Sequence, residues 1–191
     1  MIGDNCAITA GHCVEALHYV EFNTPASSRN GDVQNGKPED LYLVDKSSIQ
    51  YEDKIGSDWA VFKLLPNKIT GKLPGEIQGT YPVNFKTPRR NATVTITGYG
   101  LDRNDPDRNL AQQSHSGPIA SISLFGSTFQ HKVDTMGGSS GSSVILEKTG
   151  EIIGIHIQGG CTSNGGKNTA TLISKNKLLK EAIKSCLNSE R

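Results

Sequence analysis

Asp134-Thr135-Met136-Gly137-Gly138-Ser139-Ser140-Gly141-Ser142 sets a serine among glycines, on a backbone so unconstrained that its presence calls for a chemical reason. A serine hydroxyl is a poor nucleophile at neutral pH, and it attacks a carbonyl only when a neighbouring base takes its proton. A candidate serine therefore directs attention to a histidine, and the histidine to a carboxylate. Both lie upstream. His12 sits in Thr9-Ala10-Gly11-His12-Cys13, and Asp58 opens the apolar run of Ser57-Asp58-Trp59-Ala60-Val61-Phe62-Lys63-Leu64. Glu52 and Asp53 are nearby acids, but neither leads into an apolar run, so Asp58 is the better partner for the histidine.

The chain order His12, Asp58, Ser140 separates two kinds of hydrolase. The alpha/beta-hydrolase elbow reads Gly-x-Ser-x-Gly and is followed by its acid and histidine. Here Ser140 comes last, and Ser142 stands at the final glycine position. The three local motifs, in this order, resemble those of the chymotrypsin (trypsin-like) family of serine endopeptidases. That resemblance implies an all-β fold of two antiparallel β-barrels with a C-terminal α-helix, and an active site in the cleft between the barrels. It also implies a secreted or periplasmic protein that acts as a monomer on protein or peptide substrates without a metal or cofactor. The family has a strand pair before its histidine, and His12 stands almost at the start of this chain. The expectation is a first barrel lacking its opening strands, with a signal and more barrel upstream.

Composition bounds the alternatives. With 191 residues the chain can bury a substantial core in one large or two small domains. A net charge of +1 gives no electrostatic reason to expect nucleic acid or an anionic membrane as partner. No apolar run approaches the roughly 18 residues of a membrane span. Alternation over Ala92-Thr93-Val94-Thr95-Ile96-Thr97 predicts a strand. Ser143-Val144-Ile145-Leu146 and Ile152-Ile153-Gly154-Ile155, joined across Lys148-Thr149-Gly150, predict a hairpin. Helical spacing is confined to the tail, where Leu178, Leu179, Ala182, Ile183 and Cys186 share a face. Tyr81 to Asn91, with Pro82, Pro88 and Arg89-Arg90, reads as the crossing between barrels, which divides the chain into 1–88 and 89–191.

Four cysteines allow three pairings. The resemblance implies that Cys13 pairs with a cysteine on a preceding strand, upstream of this chain. Cys6 and Cys13 lie beyond disulfide reach if the residues between them are extended. Cys161 and Cys186 can pair if the terminal helix folds back beside the loop after His156. A metal site from Cys6, His12 and Cys13 matches no common zinc spacing.

The resemblance assigns His12 as general base and acid, Asp58 as the group that holds its tautomer, and Ser140 as nucleophile. The backbone N–H groups of Gly138 and Ser140 form the oxyanion hole. Specificity has two readings. Asp134, six residues before Ser140, matches the pocket-floor aspartate of trypsin and implies Arg or Lys. Thr135, together with His156 in Gly154-Ile155-His156-Ile157-Gln158-Gly159-Gly160, more closely resembles the bacterial glutamyl endopeptidase branch and implies Glu before the scissile bond. On that second reading, protonation of His156 strengthens substrate binding at mildly acid pH. Ser139 replaces the aspartate with which trypsin pairs a newly cut N-terminus, so that activation route is not expected. His18, His115 and His131 read as surface or loop residues. The other class of function is a weakly active or inactive protease-fold module that binds protein.

Overall fold

A computed structural model describes residues 1–102, 104–162 and 165–190. The strands are β1 (Cys6–Thr9), β2 (Tyr19–Glu21), β3 (Leu41–Lys54), β4 (Ser57–Leu64), β5 (Thr93–Tyr99), β6 (Gln112–Ile122), β7 (Thr128–His131), β8 (Ser143–Leu146), β9 (Glu151–Gln158), β10 (Cys161–Thr162), β11 (Gly165–Gly166) and β12 (Asn168–Leu172). Two α-helices join them, α1 (Pro74–Gln78) and α2 (Lys177–Asn188).

Strands β5 to β9 and β12 close into a barrel in the order β12-β7-β6-β5-β8-β9, and β1-β4-β3-β2 form a separate open sheet. The fold is thus a complete second barrel beside a first barrel represented by four strands. The hairpin read from sequence is present: Val144 pairs with Gly154 and Leu146 with Glu151. Val94, Ile96, Phe129, Val144, Ile153 and Leu172 fill the closed barrel, while Tyr42, Val44, Phe62 and Leu64 pack under the open sheet.

A third apolar cluster welds these layers together. Trp59 and Val61 of β4, Ile152 and Ile155 of β9, and Leu179, Ala182 and Ile183 of α2 meet in it. This explains why Trp59 to Phe62 is buried without alternation. One face of β4 serves the open sheet, and the other serves the seam with the barrel and helix. Asn176 caps α2 by accepting the Leu179 amide at 3.0 Å. Leu178 departs from the expected apolar face and is 51% exposed, because the buried stripe runs through Leu179, Ala182, Ile183 and Cys186.

The cysteine expectation is corrected. Cys186 bonds Cys6, not Cys161, while Cys13 is free, as it would be with a partner lying outside the described residues. The helix packs along the β1–β4 side of the sheet instead of folding back on the loop after His156, which brings the two sulfurs together. Glu190 adds a second tie, accepting the amides of Asn5 and Cys6 at 2.7 and 2.9 Å. Gly3 to Asn5 form a bend before β1, closed by the Ile2 amide donating to the Cys6 carbonyl at 2.9 Å. Among the described residues no helix is long and apolar enough to cross a membrane.

Candidate active site

β1 and β4 run antiparallel with Thr9 opposite Ala60, so the chain leaving β1 passes the residues that precede Ala60. His12 follows in the 3-10 turn Gly11–Ala16. Its amide donates to Asp58 Oδ1 at 3.1 Å, and its ring Nδ1 stands 2.6 Å from Asp58 Oδ2. One carboxylate therefore grips both the backbone and the ring. The Nδ1 proton faces Asp58, which leaves the Nε2 lone pair as the available base. Asp58 is buried, and the buried Thr171 hydroxyl of β12 donates to its carbonyl at 2.7 Å. That bond ties the acid's backbone to the closed barrel. Glu52 is engaged elsewhere: Ser57 Oγ donates to it at 2.5 Å and Lys54 lies at 2.9 Å. These contacts, the Ser57 hydroxyl foremost, hold its carboxyl below the usual range.

The serine loop is pinned from two sides. The Gly141 amide donates to the His156 carbonyl at 2.8 Å, and the His156 amide to the Ser142 carbonyl at 2.9 Å. Gly141 has φ of +88°, and any Cβ there would collide with Thr9 Oγ1 at the end of β1. The loop thus lies against the strand that leads into His12. The Ser140 hydroxyl faces the Ile157 carbonyl at 3.5 Å, the outer limit of a hydrogen bond. Among the described residues no hydrogen bond joins it to His12. The Gly137 carbonyl accepts the Leu101 amide at 2.7 Å. In a trans peptide the next N–H points the opposite way, so Gly138 turns its amide off the Leu101 segment. Gly138, at φ +95°, also lies where a Cβ would come within 3.0 Å of the Tyr99 carbonyl.

His156 is buried on β9, and it has a partner that the sequence reading placed at the surface. His131 on β7 is fully buried, with Nε2 3.2 Å from His156 Nδ1. Burial pushes both pKa values down to about 4, with His156 adding to the shift on His131 and His12 adding to the shift on His156. Both rings are neutral at pH 7, so the expectation of a protonated His156 at mildly acid pH is withdrawn. Their tautomers follow from a fixed backbone group. The Val133 amide donates to His131 Nδ1 at 3.3 Å, which puts the His131 proton on Nε2. His156 Nδ1 accepts it and carries its own proton on Nε2.

Thr135 and Asp134 line a cavity of about 120 Å³ with Gly98, Arg108, His115 and Ser139. Neither His156, Ser140 nor His12 lines that cavity. Asp134 and Thr135 thus share this cavity and His156 lies outside it, while Thr135 Oγ1 accepts from Asn168 Nδ2 at 2.8 Å. Asn168 stands opposite His131 in the β7–β12 ladder. Sequence reasoning missed both His131 and Asn168. For His131 a signal existed, since alternation in Thr128-Phe129-Gln130-His131 puts it on the same face as the core residue Phe129. Cys13, next to His12, has its thiol pKa raised by burial and then by Asp58, so it stays protonated. Among the described residues no group of three His, Cys, Asp or Glu is arranged to hold a metal.

A closed barrel packed on a partial one, with a histidine gripped by an aspartate at the seam, fits a trypsin-like peptidase. The chain belongs to the trypsin-like peptidase domain family, whose profile matches residues 1–155. The glutamyl endopeptidase of Staphylococcus aureus strain MW2 is 26% identical over 159 residues, covering 82% of this chain and 44% of that protein. The glutamyl endopeptidase of strain MRSA252 is 27% identical over 158 residues, covering 82% and 41%. The chain thus spans less than half the length of these curated relatives. Among solved structures, a Glu endopeptidase in complex with MPD superposes with a TM-score of 0.72 at 20% identity, covering 98% of this chain and 83% of the other. The thermostable serine protease AL20 from an extremophilic microorganism gives 0.68 at 15% identity, covering 98% and 86%.

Proposed function

We propose that the protein is a secreted serine endopeptidase that forms an acyl-enzyme on Ser140 and prefers Glu before the scissile bond. The observation that carries the catalytic part is the two-point grip of Asp58 on the His12 amide and ring Nδ1. With its Nδ1 proton committed to Asp58, His12 has Nε2 free to take the Ser140 proton and return it to the leaving amine. On this reading the Ser140 hydroxyl leaves the Ile157 carbonyl for His12 when substrate enters. The Gly138 and Ser140 amides receive the oxyanion.

The preference for Glu is supported by the donor chain ending at His156 Nε2, by the Thr135 hydroxyl, and by the glutamyl endopeptidases among the relatives. Neutral donors suit a carboxylate without requiring a buried permanent charge. The trypsin-like reading through Asp134 gains less support, because Arg108, a permanent cation, lines the cavity that Asp134 shares with Thr135 and opposes a substrate Arg or Lys there. One observation favours a second reading, a weakly active protein-binding module: the Ser140 hydroxyl contacts the Ile157 carbonyl and not His12.

A fluorophosphonate probe separates the two. We expect it to label Ser140, with labelling abolished by Ser140→Ala, and peptide-library cleavage to occur after Glu. Labelling that survives Ser140→Ala refutes the nucleophile. A folded chain that takes no label supports the binding module.

A further inference from the structure

We infer that Asn168 is a specificity-positioning residue: its side-chain amide fixes the Thr135 hydroxyl as a hydrogen-bond donor, and so selects a carboxylate over the isosteric amide at the substrate position before the scissile bond. This rests on the Glu-preferring pocket proposed above and supplies the reason that pocket can tell Glu from Gln.

Asn168 is 1% exposed, at the start of β12. Its Oδ1 accepts the Gly160 amide at 2.7 Å, and its Nδ2 donates to the Val133 carbonyl at 2.7 Å and to Thr135 Oγ1 at 2.8 Å. The orientation of the amide follows from chemistry. A backbone N–H can only donate and a backbone carbonyl can only accept, so Oδ1 must face Gly160 and Nδ2 must face Val133. The two Nδ2 hydrogens then serve two acceptors, the Val133 carbonyl and the Thr135 oxygen. Thr135 receives a proton from Asn168, so its own hydrogen points elsewhere, available to an incoming acceptor.

The same peptide segment polarises both halves of the proposed pocket. The Val133 amide donates to His131 Nδ1, setting the chain that leaves His156 Nε2 as donor. The Val133 carbonyl accepts from Asn168, setting the chain that leaves Thr135 as donor. A Glu carboxylate accepts from both. A Gln side chain, whose amide nitrogen can only donate, leaves one of them facing another donor, which costs binding in a desolvated site.

The test is the ratio of kcat/KM for paired Glu and Gln peptides, with each preparation normalised to the fraction that the fluorophosphonate labels. Asn168→Asp keeps the shape but removes the donors, and Thr135 then donates into the new carboxylate instead of into the pocket. We expect the Glu-to-Gln ratio to fall about tenfold or more, the scale of a hydrogen bond to a charged group. Asn168→Ala, which carries no buried charge and so guards against misfolding, should give a smaller fall in the same direction. In a Thr135→Val background neither substitution should lower the ratio further. A wild-type ratio near one overturns the pocket reading and this inference with it. A wild-type preference for Glu that both Asn168 variants retain overturns this inference alone, as does a loss that persists undiminished in the Thr135→Val background.

Discussion

Opening the Cys6–Cys186 disulfide should destabilise the protein by an amount that its place in the chain determines. The bond closes a loop across a sequence separation of 180 residues, nearly the whole chain. The chain-entropy relation for a loop of that length gives about 5 kcal/mol at 25 °C, a ceiling that residual structure in the unfolded chain usually lowers to about 2–4 kcal/mol. The effect belongs chiefly to the unfolded state. In the folded state Glu190 still holds the Asn5 and Cys6 amides, and Leu179, Ala182 and Ile183 still bury α2. Urea unfolding of the same wild-type chain, oxidised and reduced, avoids any change of buried volume. With a slope of about 2 kcal/mol/M, the reduced midpoint should lie roughly 1–2 M lower. The slope itself should rise, because an uncrosslinked chain exposes more surface when it unfolds. Midpoints that agree within about 0.3 M would show that the crosslink does not restrict the unfolded chain as argued.

Two further outcomes follow from the buried groups. The folded pKa values of His131 and His156 lie near 4, below the ordinary 6.5, so the unfolded chain takes up protons first. Their contribution to stability is intact above pH 6.5 and is lost as pH falls toward 4, a change on the order of a few kcal/mol read from urea midpoints. His131→Phe should flatten that slope, and an unchanged slope would count against the assignment. Asp58→Asn should leave the fold intact while lowering turnover by about four orders of magnitude, the scale seen for the equivalent change in trypsin-like enzymes. A loss under tenfold, measured on chain that the fluorophosphonate still labels, would remove Asp58 from the mechanism.

What was legible in the sequence was local. The β8–β9 hairpin could be read because its apolar runs flank Thr149-Gly150, and α2 because Leu179, Ala182, Ile183 and Cys186 repeat at helical spacing. The His12–Asp58 contact could be anticipated because each residue lies in a short local motif, whereas the part played by Ser140 remains a proposal. The Cys6–Cys186 pairing could not, since 180 residues of chain separate two cysteines with no shared local signal. The partners of His156 and Thr135 were hidden for the same reason. His131 and Asn168 face each other only because β7 pairs with β12, a register set by closure of the barrel. Leu178 shows the converse error: periodicity marks a face, but only packing decides how wide that face is.

The low pKa of His156 bears on why a neutral pocket would accompany the proposed mechanism. His12 lies close enough that its charge contributes to holding His156 unprotonated. On the proposed mechanism His12 becomes an imidazolium each time Ser140 attacks, and a second cation beside it would oppose that step. A pocket that attracted Glu with a charged histidine would therefore weaken the base it serves. Oriented neutral donors avoid the conflict. On that reading Val133 sets their direction through His131 and Asn168, and burial keeps His156 uncharged beside His12. On the proposed preference for Glu, selectivity for the anion then arises from where hydrogens point. Substitutions that leave every charge in place, such as Thr135→Val or His131→Phe, should therefore disturb it more than changes to the exposed lysines.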